Sequence, residues 1–225
     1  DHPVPFGSSA ASVRTATART HAWAERCRAA HPGDGRLLFG IVQGGFDPAL
    51  RRESARAVAD LGFDGVALGG LALGEPPTVM EAMALAALEN VPADVPRYVM
   101  GLGTDAELLA MIAAGVDMFD CVLPTRLART GTALTASGRL SLRAAAVRDD
   151  PRPVEDGCPC LACERFSRAY LRHLHLAGEL LVHRLLSVHN LTHLGRLMAG
   201  ARAAIGDGAF DAYRSDVLGR LAGRR

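Results

Sequence analysis

Aromatic side chains are scarce in this sequence: Phe, Trp and Tyr together make up 5% of its 225 residues. With few large rings and many Ala and Gly residues, an all-β sandwich is disfavoured, and an α/β protein with small-residue helices fits better. An excess of charge is also missing. The formal net charge is +1, so the sum gives no sign of a nucleic-acid partner, and any polyanion site has to be a local patch. No apolar run approaches the roughly 18 residues of a membrane span, and no basic-then-apolar leader opens the sequence. The cysteines do not form a disulfide framework, because three crowd into six positions while Cys27 and Cys121 stand apart. These absences point to a soluble, cytoplasmic protein with no membrane partner. There is no initiator Met, and Asp1-His2-Pro3 reads as the interior of a longer chain.

What is present is a repeating pattern. Ser12 to Ala30 has helical spacing and closes at His31-Pro32-Gly33. A buried strand, Leu37 to Val42, then stops at Gln43-Gly44-Gly45. A helix from Pro48 to Leu61 follows with Asp47 as its cap, then a strand at Gly65–Leu68 ending in Gly69-Gly70. The pattern repeats with a helix at Pro76–Leu88 and a strand at Arg97–Met100. A helix at Asp105–Ala114 behind Thr104 and a strand at Val116–Cys121 complete it. Repeated strand–helix units imply parallel strands with right-handed crossovers. They suit either half of a (β/α)8 barrel or part of an open doubly wound sheet. Beyond Cys121, Pro124 to Leu142 carries turn residues and hairpin pieces, and 149–157 is a polar linker. Long helices are expected over Phe166–Leu186 and Leu191–Ile205, and a last one over Phe210–Leu221.

Two groups of residues carry chemistry. Cys158, Cys160 and Cys163 lie in one loop, where three thiolates can converge on a soft tetrahedral ion such as Zn²⁺. The fourth donor is a downstream histidine, and spacing leaves His183, His189 and His193 open. A closed Cys3His set has no free position, so the ion is structural. Asp120, at the C-terminal end of a predicted strand, stands where barrels place catalytic groups, with Asp117 as a competitor. Arg126, Arg129, Arg139, Arg143 and Arg148 follow it, a stretch able to grip phosphate.

Taken together, these stretches resemble the bacterial queuine tRNA-ribosyltransferase (tRNA-guanine transglycosylase) family. The resemblance is carried by Phe39–Gly45, Gly69–Glu75, Tyr98–Gly103, Asp117–Arg126, the Cys-x-Cys-x-x-Cys cluster, Ser167–Tyr170 and Glu179–Asn190. It implies the second half of a TIM barrel, strands five to eight, with a zinc-binding subdomain after the last strand. The implied domains are a partial barrel over 1–145, the zinc subdomain over 146–195 and returning helices over 196–225. Strands one to three, nearly all of four, and a second catalytic aspartate would precede the sequence. The 225-residue polypeptide is therefore expected to be inactive by itself.

The implied activity is base exchange in tRNA during queuosine synthesis. Guanine at the wobble position of GUN anticodons is replaced by preQ1 through a covalent intermediate on Asp120, the nucleophile. Base recognition falls to Gln43, to Gly70 and Leu71, and to Met100, which stacks on the ring. Asp1, 22 residues before Trp23, fits the family's base-reading aspartate, although His2-Pro3 departs from the usual Glu-Cys. Leu73 in place of Val favours the small preQ1 over queuine. Arg126 and Arg129 match positions near the anticodon loop. The resemblance selects His189 as the fourth zinc ligand. It also implies a homodimer with Phe166, Tyr170 and His173 near the interface, Phe166 replacing the usual Trp. A non-catalytic tRNA-binding partner subunit is the alternative, and retention of Asp120 and Gln43 speaks against it.

Overall fold

Four short runs become strands: β1 (Phe39–Val42), β2 (Gly65–Leu68), β3 (Arg97–Met100) and β4 (Met118–Asp120). All neighbours are parallel and the order is β1-β2-β3-β4. A helix fills each gap, α2 (Pro48–Asp60), α3 (Pro77–Leu88) and α4 (Asp105–Ala113), while α1 (Ala10–Ala30) precedes the sheet. The alternation and the parallel sheet match the expected α/β class. The order contains no reversal of the kind that marks a doubly wound switch point. Fourth in the sheet, β4 spans three residues rather than the expected six.

Register decides what each face does. It pairs Val42 with Leu68, Leu68 with Val99, and Val99 with Phe119. Because side chains alternate along a strand, these four share one face. They pack with Ala55, Val58, Met80, Met83, Ala84 and Ala87 from the helices. Val42, Leu68 and Val99 are fully buried, each contributing about 1.5–3 kcal/mol. The opposite face carries Phe39, Ile41, Ala67, Tyr98, Met100, Met118 and Asp120. Local signals set the helix starts. The Asp47 carboxylate accepts from the Ala49 and Leu50 amides ahead of Pro48, and Thr104 with Glu107 closes a capping box on α4.

The computed structural model describes residues 1–223, which divide into two compact units, Asp1–Cys121 and Val122 onward. These compact units meet at 121/122. The second unit holds α5 (Leu123–Arg129), an antiparallel hairpin of β5 (Thr132–Thr135) and β6 (Gly138–Ser141), and helices α6 (Leu161–Arg165), α7 (Arg168–Leu176), α8 (Leu180–Gly206) and α9 (Phe210–Ala222). The hairpin belongs here because Ala133 and Leu142 are buried with Leu171, Leu185 and Leu186 in this unit's own core. Among the described residues, no helix is long and apolar enough to cross a membrane.

Three helix expectations change. The single helix over Phe166–Leu186 is broken, because the Gly178 and Glu179 amides bond back to the His175 and Leu174 carbonyls. With Gly178 at φ 76, this is a Schellman stop. Conversely, the helix expected over Leu191–Ile205 is not separate, because α8 runs through Leu186 and Leu191 without a break. The segment 123–129 is helical, started by Pro124 in its first turn.

The linker at 149–157 is pinned by charge. Asp150 accepts from Arg152 at 2.9 and 2.8 Å and from Arg168 at 3.0 Å, while Arg168 also donates to the Pro153 and Val154 carbonyls at 2.7 and 2.9 Å. Hydrogen bonds from Arg152, then Arg168, hold the Asp150 carboxyl well below the usual carboxylate range. A depressed native pKa stabilises the fold above the unfolded value of about 3.9 and loses that contribution as the pH falls. Asp150→Asn should therefore melt below wild type at neutral pH, with the two melting curves converging between about pH 5 and pH 2. A gap that stays constant over this range would contradict the ion-pair account.

Candidate active site and metal centre

The C-terminal end of β4 presents Asp120. Its Oδ1 accepts from the Tyr98 hydroxyl at 2.6 Å and from the Gly101 amide at 3.2 Å. Tyr98 is pushed up to about 12, first by this bond and then by partial burial. The phenol thus stays protonated and donating at neutral pH. Met100 is the register partner of Asp120, and Tyr98 lies two residues before Met100 on the same face. Asp117 serves a different end of the sheet, where its carboxylate accepts from the Arg97 amide at 2.9 Å. Tyr98 was not expected as a site residue; its two-residue offset from Met100 is the signal that could have found it.

A second group gathers where β1 and β2 end. The Gln43 side chain is buried, and its Nε2 donates to Asp1 Oδ2 at 2.7 Å. The carboxamide lies over both glycines. A Cβ at Gly69 would come 2.5 Å from Gln43 Nε2, and one at Gly70 would come 2.5 Å from Oε1. Gly70 also has φ 67, so a side chain there is excluded by conformation as well as by space. Asp1 is held near by its neighbours, since the His2 amide donates to Thr20 Oγ1 at 2.9 Å and Phe6 meets Phe46 edge to face. Leu71 buries its side chain in the core. Beyond it, Ala72 is held at φ 58 while Glu75 accepts from the Ala72 and Leu73 amides at 2.6 and 2.8 Å. Leu73 itself is exposed.

Support comes from α2, whose buried stripe is Leu50, Arg51, Ser54, Ala55 and Val58. Two of these positions are polar, and both serve strand ends. Ser54 Oγ accepts from the Gln43 amide at 3.1 Å and contacts His21 Nε2 at 2.8 Å. Arg51 points its guanidinium at backbone carbonyls. Sequence reading missed both, although a charged residue inside an amphipathic stripe is a visible flag.

In the second unit, Cys158, Cys160, Cys163 and His189 bring their ligand atoms within 4.8 Å of one another, a set able to hold one metal ion. His189 Nδ1 stands 3.7, 3.5 and 3.3 Å from the three sulfurs. Its Nε2 donates to the Leu134 carbonyl at 2.7 Å, which reserves the Nδ1 lone pair for the thiol cluster. Burial keeps His189 neutral and pushes the Cys160 and Cys163 thiols up. A cation among them reverses that preference for the protonated thiol. Arg126 and Arg129 are both exposed on α5, three residues apart on one helical face.

The sequence is similar to those of known proteins. The profile of the family described as "Queuine tRNA-ribosyltransferase" matches residues 1–222. A queuine tRNA-ribosyltransferase from Solidesulfovibrio magneticus is 51% identical over 219 residues, covering 96% of this chain and 59% of that protein. One from Synechococcus sp. strain CC9311 is 49% identical, covering 93% and 56%. Another from Pelotomaculum thermopropionicum is 45% identical, covering 99% and 60%. The chain thus spans 56–60% of the length of these relatives. On a match over residues 1–222, the chain belongs to the queuine tRNA-ribosyltransferase family.

Proposed function

We propose that this chain carries the nucleophile and base-reading half of a tRNA-guanine transglycosylase site. The observation that carries the reading is Asp120: a strand-end carboxylate with Oδ1 held by Tyr98 and Gly101, on the sheet face of Met100. Asp120 Oδ2 attacks the ribose C1′ of the wobble guanosine in a GUN anticodon. The C1′–N9 bond breaks and guanine departs with that electron pair, leaving an Asp–ribose ester. The incoming preQ1 then attacks C1′, loses a proton and frees the carboxylate. Two displacements retain configuration, as in retaining glycosidases. Holding Oδ1 with two donors aims the other oxygen without removing its charge.

Gln43, Asp1 and the Gly70 and Leu71 backbone form the base pocket in this reading, with Met100 against the ring. Asp1 and Gln43 offer carbonyl, carboxylate and amide groups, the set a guanine-like edge needs. The unreversed β1–β4 order supports assigning these strands to positions five to eight of a (β/α)8 barrel. Stacking of Phe166 on Tyr170, centroids 5.3 Å apart, supports an aromatic patch at a homodimer interface with His173. Transfer RNA is supported by charge. From Val122 onward the chain has sixteen arginines against nine Asp and Glu, a formal +7, whereas Asp1–Cys121 has nine against fifteen, a formal −6. Arg126 and Arg129 are assigned to anticodon-loop phosphates, and the working compartment to the cytoplasm.

The metal is assigned as one structural Zn²⁺ per chain. Zinc bonded at about 2.3 Å to sulfur and 2.0–2.1 Å to nitrogen sets those atoms roughly 3.5 Å apart in a tetrahedron. The Sγ to Nδ1 separations of 3.3–3.7 Å fit that edge. Four protein donors leave no position for substrate, so the ion supplies folding energy and no chemistry.

Three outcomes follow. Asp120→Asn should lose at least about a thousandfold in guanine exchange and all covalent tRNA adduct on denaturing gels, with tRNA affinity within about threefold; full exchange by this variant would end the nucleophile assignment. Arg126→Ala or Arg129→Ala should raise KM for tRNA and reduce the log–log salt slope by roughly 0.7–0.9 each, measured from 50 to 200 mM salt. Elemental analysis should find one zinc per chain. Stripping it should lower Tm and dimerisation before exchange fails; lost exchange with fold, dimer and tRNA binding intact would refute a structural ion.

A further inference from the structure

Arg51 is a fully buried cation that no step above uses. Its guanidinium spans the ends of two strands. Nε donates to the Gly45 carbonyl at 2.8 Å, one terminal nitrogen to Gly69 at 2.7 Å, and the other to Gly70 at 3.2 Å. The first terminal nitrogen also reaches the Val42 carbonyl at 3.5 Å. Burial brings its pKa down to about 10, against support from the charge of Glu75, so the group remains protonated at neutral pH.

Peptide geometry gives this clamp a directional consequence. In a trans peptide the C=O of one residue and the N–H of the next point opposite ways in one plane. Turning the Gly69 and Gly70 carbonyls toward Arg51 therefore turns the Gly70 and Leu71 N–H groups away from it. Those two amides are the backbone groups assigned above to the base. On the β1 side, the carbonyls of Val42 and Gly45 bracket Gln43, whose carboxamide lies over the same two glycines. A planar fork with donors in fixed directions can hold both loops at once, which a lysine ammonium on one point cannot.

We propose that Arg51 is a positioning residue for base recognition, fixing the β1 and β2 end loops so that Gln43 and the Gly70 and Leu71 amides face one base. The assignment rests on the base-exchange reading. It acts through the loops, without touching substrate, so it sets affinity for the base more than for tRNA.

Arg51→Lys keeps the charge and loses the fork. In the intact protein, amide hydrogen exchange should rise at least about tenfold at residues 43–46 and 69–72 while residues 97–113 keep their protection. KM for guanine should rise about tenfold, with KM for tRNA within about twofold. Guanidinium ion added to Arg51→Ala should restore part of the guanine affinity. Unchanged loop amides with unchanged guanine KM would overturn the proposal. So would protection lost evenly across 39–113 with both KM values moving together, the mark of a merely structural arginine. Wild-type protein joined to the preceding half of its barrel that exchanges no guanine would instead bring down the base-exchange reading itself, and this assignment with it.

Discussion

A guanidinium removed from water must have its donors met, and this requirement shapes the whole strand-end region of the first unit. Leaving a buried charge unpaired costs several kcal/mol. Among the described residues, the hydrogen bonds of the Arg51 side chain go to carbonyls from two separate turns and to no carboxylate. Carbonyls converge on one point only if both chains turn sharply just after their strands. Gly44 at φ 129, Gly45 at φ 55 and Gly70 at φ 67 supply those turns. Space is as restrictive as conformation. A Cβ at Gly44 would lie 2.8 Å from the Arg51 backbone nitrogen, and one at Gly45 would lie 2.8 Å from the Val13 side chain. Gln43-Gly44-Gly45, Arg51 and Gly69-Gly70 are therefore one mechanical unit split across three places in the sequence.

That split explains what sequence reading could and could not see. Strand runs and caps are local, so β1 to β3 and the Asp47 and Thr104 caps were legible from neighbouring residues. The glycine pairs were visible as turns, but the carbonyls they aim and the arginine they aim at lie on different elements. Tyr98 and Asp120 are 22 residues apart and meet only through β3–β4 register. In the second unit, the Gly178 stop was a local signal passed over because apolar spacing continued across it. Which histidine joins the cysteines was open on spacing alone, since α8 could offer any of three, and only its packing brings back His189.

Neighbouring residues on α8 show how the metal centre is tied to the rest of its unit. His189 Nε2 donates to the Leu134 carbonyl, while Asn190 accepts from the Leu134 amide at 2.8 Å. The Asn190 amide nitrogen donates to the Thr132 carbonyl at 3.1 Å and to the Pro124 carbonyl at 2.9 Å. A buried Asn inside a helix is tolerated because its side-chain oxygen and nitrogen are both hydrogen-bonded to backbone of α5 and β5. One turn of α8 therefore fixes a candidate metal ligand, a strand of the hairpin and the start of the helix bearing Arg126 and Arg129. Losing the metal would loosen His189, the neighbour of Asn190, and through it the elements that Asn190 joins.

Charge is divided along the chain in a way the sum of +1 conceals. The unit bearing Asp120 is acidic and the unit from Val122 onward is basic, and all 25 basic side chains are arginine. Arginine stays charged and offers a fork to any planar pair of acceptors. The same side chain therefore serves two unlike tasks. Arg51 and Arg168 turn it inward on carbonyls and a carboxylate, where direction matters. Arg126 and Arg129 turn it outward on an exposed helix, where long-range attraction for a polyanion matters and salt weakens it. A polyanion would be repelled by the net charge of the first unit and attracted by that of the second, and the sum of +1 shows neither.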